Sequence, residues 1–207
     1  MKRVKKIWGE ELWVVNRDYC GKILLLKRGF SCSLHRHKIK DETFYIIRGN
    51  VLMEVGDKKW IMKPRDFVRI PPNTWHRFSG LTSAEIVEFS THHKDSDTER
   101  KTKSGKSKLK VAYDFDGVVD KGIELEFDAP IITGRSYEEV DKIPLDIFLN
   151  HPVYFNPVPI IEKTLESEIR WKAHMIRRLG IEVYYEDNPE IIVRLEKLCP
   201  NCHIVKV

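Results

Sequence analysis

From Lys94 to Lys110 the chain reads Lys-Asp-Ser-Asp-Thr-Glu-Arg-Lys-Thr-Lys-Ser-Gly-Lys-Ser-Lys-Leu-Lys, with Leu109 its only large apolar side chain. A stretch with nothing to bury cannot lie inside a core, so no single hydrophobic core can run through the chain at this point. The expectation is two units of ordinary domain size, 1–94 and 111–207, joined by an exposed charged linker over 95–110. Charge separates the two sides further. Residues 1–94 carry 19 Lys and Arg against 10 Asp and Glu, 95–110 carry 6 against 3, and 111–207 carry 11 against 18. A basic first half suits an anionic ligand.

The first half consists of short alternating runs: Ile23-Leu-Leu-Leu, Phe44-Tyr-Ile-Ile, Val51-Leu-Met-Glu-Val, Phe67-Val-Arg-Ile and Glu85-Ile-Val-Glu-Phe, separated by Gly, Pro, Asn or Asp. Regular short strands with such breaks predict an all-β barrel or sandwich. Within it stand His35, His37, Glu42 and His76. The spacing His-x-His puts two imidazoles on one face of a strand, Glu42 opens the next strand, and His76 comes from a later one. Neutral imidazoles with one carboxylate make a site for Zn2+, Fe2+, Mn2+, Ni2+ or Co2+. Arg36, Lys38 and Lys40 are interleaved with these residues, so a sugar phosphate near the metal is a candidate ligand. His92 and His93 follow the last strand as rim residues. The scatter of basic residues among strands, with no recognition helix or stacking motif, argues against nucleic acid.

The spacing Gly29, His35-Arg-His37, Glu42, Gly49 resembles the first motif of the cupins along its length, and Pro71-Pro-Asn-Thr-Trp-His76 is similar to the second. Asn73 and Arg65 stand where that family favours glycine; Asn tolerates the left-handed backbone, so the turn at Asn73 can survive. The resemblance implies a jelly-roll barrel with a divalent metal on His35, His37, Glu42 and His76. Gly21-Lys-Ile-Leu-Leu-Leu, Ser33-Leu-His-Arg-His, Ile70-Pro-Pro-Asn-Thr-Trp-His and Glu88-Phe-Ser-Thr-His-His point within the cupins to sugar-handling members. These include the phosphomannose isomerase type and the cupin tails of sialic acid synthases. Such barrels commonly pair through edge strands, which makes this domain the candidate surface for a homodimer, with the oligomeric state left open.

The second half alternates strands and helices. Val111-Ala-Tyr-Asp-Phe-Asp-Gly runs from an apolar strand into Asp114 and Asp116 on one face, with Gly117 free to turn. Two such acids favour a hard cation, Mg2+, shared with substrate phosphate, and suit phosphoryl transfer through an aspartyl nucleophile. Pro130-Ile-Ile-Thr-Gly-Arg135 is a second strand whose Thr133 hydroxyl and neighbouring N–H groups can bind phosphate oxygens, with Arg135 a further cation. A helix over about 160–179 carries Lys172. Ile181-Glu-Val-Tyr-Tyr-Glu-Asp then delivers Glu186 and Asp187 at a strand's C-terminal end, where open α/β sheets bind ligands.

Asp114-Phe-Asp116-Gly, Thr133, a helix lysine and Glu186-Asp187 resemble the four motifs of the haloacid dehalogenase superfamily, over about residues 109–207. The resemblance implies an α/β Rossmann-like core with a parallel sheet and little or no cap. It further implies that Asp114 is the nucleophile and Asp116 the general acid and base. Thr133 and Lys172 would then hold the phosphoryl group, with Mg2+ on Asp114, the Asp116 backbone carbonyl and the closing acid pair. Lys163 lies on the same helix and is the alternative phosphate-binding cation. Either Glu186 or Asp187 can complete the metal site, Asp187 being preferred.

The expected activity is a bifunctional sugar-phosphate enzyme, a Mg2+-dependent phosphatase fused to a metal-binding isomerase, epimerase or sugar-binding barrel, in carbohydrate or capsule-precursor synthesis. The alternative is a nucleotidase or nucleic-acid-end phosphatase beside a ligand-binding barrel. No apolar run approaches the ~20 residues a bilayer span needs, and Met-Lys-Arg-Val-Lys-Lys-Ile-Trp has no secretory core, so a cytoplasmic protein without membrane contact is expected. Cys199-Pro-Asn-Cys202 is half a zinc site, a redox pair or a structural turn; the last is preferred.

Overall fold

The computed structural model describes residues 1–126 and 128–207. The chain divides into two compact units, Met1–Ser107 and Lys108–Val207.

In the first unit, β1 (Lys2–Lys6), β2 (Gly9–Asn16), β3 (Tyr19–Leu26), β4 (Phe30–Ser31), β5 (His35–His37), β6 (Glu42–Arg48), β7 (Val51–Val55), β8 (Lys58–Met62), β9 (Phe67–Ile70), β10 (His76–Gly80), β11 (Ala84–Thr91), β12 (Thr98–Arg100) and β13 (Gly105–Lys106) follow one another without an α-helix. They form two antiparallel sheets. One runs β1-β2-β3-β11-β6-β9; the other runs β12-β5-β10-β4-β13, with β7 on β10 and β8 on β7. The inward positions alternate along each strand, as in Cys20, Lys22, Leu24 and Leu26 of β3, and period-two patterning of this kind sets one face against the other sheet. Leu24, Leu26, Phe44, Ile46, Met53, Phe78 and Ile86 make the buried core between the sheets. Asn73 and Arg65, the two departures from glycine, adopt the left-handed backbone, with φ of 63° and 79°.

The segment expected as an exposed linker over 95–110 is largely part of this barrel. Thr98, Glu99 and Arg100 pair with His37, Arg36 and His35 of β5, and Gly105–Lys106 pairs with β4. Strand addition needs backbone donors and acceptors rather than apolar side chains, so a polar stretch can complete a sheet edge. Asp97 fixes it further: one carboxylate oxygen accepts from the N–H of Lys38 and Ile39, the other from Lys40. Anchored carboxylates of this kind make strong charge-assisted bonds.

In the second unit, β14 (Val111–Tyr113), β15 (Ile131–Ser136), α1 (Leu145–Asn150), β16 (Val153–Asn156), α2 (Leu165–Leu179), β17 (Val183–Glu186), α3 (Pro189–Leu198) and β18 (His203–Lys206) build one sheet ordered β16-β15-β14-β17-β18. Every pair in it is parallel. Helices α2 and α3 cover the sheet through Ile169, Ala173, Ile176, Ile191 and Leu195, packed on Ala112, Ile132 and Tyr184. The helix expected from about 160 starts at Leu165, because Thr164 caps it: its hydroxyl accepts from Ser167 N–H while the Ser167 hydroxyl returns to Thr164. Gly180 ends it in the left-handed conformation at φ 63°. Cys199-Pro-Asn-Cys202 forms a turn closed by Cys202 N–H on the Cys199 carbonyl, and both thiols are free and buried.

Candidate functional sites

The barrel gathers His35, His37, Glu42 and His76 so that one ligand atom from each lies within 4.8 Å of the others. His35 and His37 come from β5, Glu42 opens β6 and His76 opens β10, whose register sets His76 opposite His35. Backbone carbonyls orient two of the rings: His35 Nδ1 lies 2.7 Å from Ser33 O and His76 Nδ1 lies 2.9 Å from Thr74 O. With Nδ1 donating, Nε2 of each ring offers a lone pair inward, the arrangement that suits a metal ligand. His37 Nδ1 is instead 3.3 Å from the Thr98 hydroxyl, a partner supplied by the strand beyond Thr91.

Burial is the main cause that lowers the His35 pKa to about 3, with the neighbouring His76 adding to it. Burial likewise lowers His37 to about 4, although Glu42 pulls the other way. Both rings are therefore neutral near pH 7. Burial works against ionisation of Glu42, but His76, Lys40 and His37 together hold its carboxyl well below the ordinary range. Glu42 Oε1 and His76 Nε2 lie 2.9 Å apart, and each is buried without a hydrogen-bond partner among the described residues. Two buried acceptors facing each other are costly, and a shared cation removes the cost. The donor set of three imidazoles and one carboxylate thus fits a divalent transition metal.

His35, His37 and Glu42 open onto a cavity of roughly 470 Å3 that is also lined by Lys22, Lys40, Glu88, Glu11 and Arg100. Lys40 is buried, with its ammonium 2.5 Å from both Glu42 and Glu88. It braces the His and Glu cluster and is not free for an incoming anion. Arg36 pairs with Glu99 at 2.8 Å and lies over the Trp75 ring. Lys22 and Glu88 fall in segments quoted above but have no role assigned from sequence; their signal is a charged residue at an inward position of an otherwise apolar strand face. Of the two rim histidines, His93 lines the cavity, and His92 Nδ1 sits 2.6 Å from the Arg17 carbonyl.

In the second unit the C-terminal ends of β14 and β17 bring Asp114, Glu186 and Asp187 within 4.8 Å. Asp187 lies against Gly117, where an added Cβ would stand 1.9 Å from its carboxylate and where φ is +73°. Lys172 of α2 is 1% exposed and reaches Asp114 at 3.1 Å, Glu186 at 2.9 Å and Glu168 at 2.8 Å. Lys163, the alternative cation, pairs with Glu139 at 2.8 Å. Burial opposes the charge on Lys172, yet its three carboxylates raise its pKa above the ordinary lysine range. Burial raises Asp114 well above its ordinary value, with Lys172 opposing and Glu186 reinforcing. Asp114 Oδ1 is buried with no hydrogen-bond partner among the described residues. Thr133 is buried on β15 and its hydroxyl oxygen accepts from Arg135 N–H at 3.1 Å.

Asp116 stands apart from this cluster. Arg135 grips its carboxylate, with Nε 3.1 and 3.0 Å from the two oxygens and Nη2 2.6 Å from one. Arg135, a further cation by sequence, thus spends Nε and Nη2 on a carboxylate nineteen residues upstream, while its Nη1 is buried without a hydrogen-bond partner among the described residues. An isolated guanidinium would otherwise face a half-buried acid. The Asp116 side chain is likewise turned towards Arg135 and is not among the acids grouped for a cation.

Residues 22–91 match the family model described as a cupin domain. Among curated proteins, an uncharacterised protein of Methanocaldococcus jannaschii is 34% identical over 58 residues, covering 28% of this chain and 46% of its own length. The chain thus spans less than half of that relative. Among solved structures, KdgF from Halomonas sp. is similar at 20% identity with a TM-score of 0.40, over 42% of this chain and 81% of that one. Pac13 of Streptomyces, described as a nucleoside dehydratase, is 15% identical with a TM-score of 0.44, over 49% and 84%. The capsular polysaccharide assembling protein CapF of Staphylococcus aureus is 17% identical with a TM-score of 0.44, over 48% and 33%. No helix among the described residues is long and apolar enough to cross a membrane. The family match, with its His and Glu cluster, shows that this chain carries a cupin domain over residues 22–91.

Proposed function

We propose that the chain is a bifunctional sugar-phosphate enzyme: a metal-dependent cupin acting on, or holding, an open-chain sugar, joined to a phosphatase of the haloacid dehalogenase type. The reading of the second unit rests on its own geometry, since the family match covers only the first. The observation that carries it is Asp114, buried at the tip of a parallel strand with Oδ2 on Lys172 at 3.1 Å and Oδ1 unpartnered. A carboxylate oxygen left without a partner on a side chain otherwise fixed is a suitable nucleophile.

In this reading Oδ1 of Asp114 attacks phosphorus, the bond to the leaving oxygen breaks, and water hydrolyses the aspartyl phosphate. Lys172 and the Thr133 hydroxyl steady the transferred group, while Glu168 and Glu186 hold the ammonium in place. Glu186 and Asp187 with Asp114 would hold Mg2+, whose chemistry when bound is to neutralise charge on the phosphoryl oxygens. Asp116 protonates the leaving oxygen only once the Arg135 fork has opened. In the barrel, His35, His37, Glu42 and His76 would hold a transition metal that polarises the carbonyl and hydroxyl of an open-chain sugar. The cavity residues around them fix the sugar's orientation.

Phosphate release measured with sugar phosphates, nucleotides and phosphorylated oligonucleotides tests the phosphatase and its class of substrate. Release from sugar phosphates that vanishes in Asp114→Asn supports the reading. Release that survives that change from every class refutes it, and release from nucleotides or oligonucleotides alone moves the chain to the alternative of a nucleotidase beside a binding barrel.

A further inference from the structure

The cavity above the cupin cluster contains a line of alternating charge, buried from Glu42 to Lys22. Glu42 meets Lys40 at 2.5 Å, Lys40 meets Glu88 at 2.5 Å, Glu88 lies 3.6 Å from Lys22, and Lys22 lies 3.9 Å from Glu11. Lys6 closes the line on Glu11 at 3.3 Å. Three lysines face three glutamates, so the line is neutral before any metal is added. A divalent ion on the His and Glu cluster then gives this line an excess of two positive charges, and Arg100, Lys101 and Lys103 add to it at the cavity lining beside Asp95.

Lys22 differs from Lys40 in one respect. Both are buried, but Lys40 donates to Glu42 within hydrogen-bond distance, whereas the closest carboxylates to Lys22 are beyond it. Its ammonium lies over the Trp13 ring, 4.4 Å from the ring centre. A side chain only 2% exposed, lining the cavity with its donors unspent, is costly unless an acceptor arrives. Carboxylates at 3.6 and 3.9 Å flank it without consuming those donors.

We infer that Lys22 is the anion anchor of this cavity. Resting on the reading of the cavity as a metal-centred sugar site, the inference names its ligand as a sugar bearing a carboxylate or phosphate. The anionic group lies on Lys22 and the hydroxyl oxygens face the metal cluster. Lys22 is a specificity residue, since it binds the charged end of the ligand rather than the reacting carbons.

The test uses full-length Asp114→Asn protein, which prevents hydrolysis in the second unit, loaded with Co2+ so that the visible spectrum reports on the cupin metal alone. Glucose, glucuronate and glucose 6-phosphate differ only at C6, as a neutral, a carboxylate and a phosphate end, and each is titrated. The expected result is that at least one anion perturbs the spectrum at about tenfold or more lower concentration than glucose. Lys22→Met loses that advantage, by about 10- to 100-fold for the favoured anion, while keeping its Co2+ and its affinity for glucose. Lys22→Arg retains the preference, and with the three-probe comparison on unaltered Lys22 it decides the matter if Lys22→Met does not fold. Equal binding of glucose and both anions, no binding of any of the three, or an unchanged preference in folded Lys22→Met overturns the inference. Failure of the metal reading shows separately, as protein that takes up no Co2+ at the histidines.

Discussion

Replacing Lys172 by Met removes the one cation that three carboxylates share. Asp114, Glu186 and Glu168 lie 3.1, 2.9 and 2.8 Å from the ammonium, and Lys172 and Glu186 are almost wholly excluded from water. Methionine keeps the volume of the stem and avoids the desolvation of a charge, so the loss falls on the acids left behind. Breaking a buried pair in this way costs about 3–5 kcal/mol. The ceiling is set by protonation. A carboxyl with an unfolded pKa near 4 that is forced neutral at pH 7 costs about 1.4 kcal/mol for each of about three pH units, roughly 4 kcal/mol.

The sign follows from the direction of the shifts. Asp114 and Glu186 already have raised pKa values in the folded protein, mainly through burial; removing Lys172, the strongest opposing influence, raises them further. The folded state then holds more protons than the unfolded one, so stability falls as pH rises above the ordinary values of 3.8 and 4.5 towards the folded ones. Lys172→Met should therefore be close to the wild type near pH 4 and about 3–5 kcal/mol less stable at pH 7. Because two units need not unfold together, the assay is urea unfolding followed by hydrogen exchange of peptides from Leu165–Leu179. A loss below about 1 kcal/mol at pH 7, or one that does not shrink in acid, would refute the argument that Lys172 offsets these charges.

Other outcomes follow from single contacts. Metal content measured on purified protein should fall from near-stoichiometric to background when His35→Ala and His37→Ala are combined, and equal content in both proteins removes the ligand assignment. Gly117→Ala should cost more than Gly56→Ala in unit-resolved unfolding. Both have positive φ, worth about 1–2 kcal/mol of backbone strain, but only at Gly117 would the new methyl collide with Asp187. Glu139 has its pKa lowered to about 2, first by Lys163. A depressed carboxyl stabilises above its ordinary value of 4.5 and is lost as pH falls towards 2, so Glu139→Gln should flatten the acid limb of stability in that window alone.

Much of the architecture is legible in local pattern. Period-two runs such as Ile23–Leu26 and Phe44–Ile47 lie within the strands β3 and β6, because one face of each must meet the core. The His-x-His spacing places two rings in one short strand because adjacent sites on a face recur every second residue. The strands β12 and β13 were not legible: their side chains carry no apolar signal, and what holds them is backbone pairing with β5 and β4 and the capture of three N–H groups by Asp97. The pairing of Arg135 with Asp116 escaped for a different reason, since only the parallel docking of β14 on β15 brings residues so far apart in sequence together. Lys22 did leave a trace. It is a lysine at an inward position between Cys20 and Leu24, both buried, and a charge there needs either a partner or a ligand.

The central claim is that the imidazoles of His35, His37 and His76 and the carboxylate of Glu42 hold one divalent transition metal. X-ray absorption at the edge of the co-purified metal tests it directly. The account predicts a first shell of nitrogen and oxygen only, with outer-shell scattering from imidazole rings and, for zinc, distances of about 2.0–2.2 Å. A shell containing sulfur, or one of oxygen alone without imidazole scattering, would contradict it.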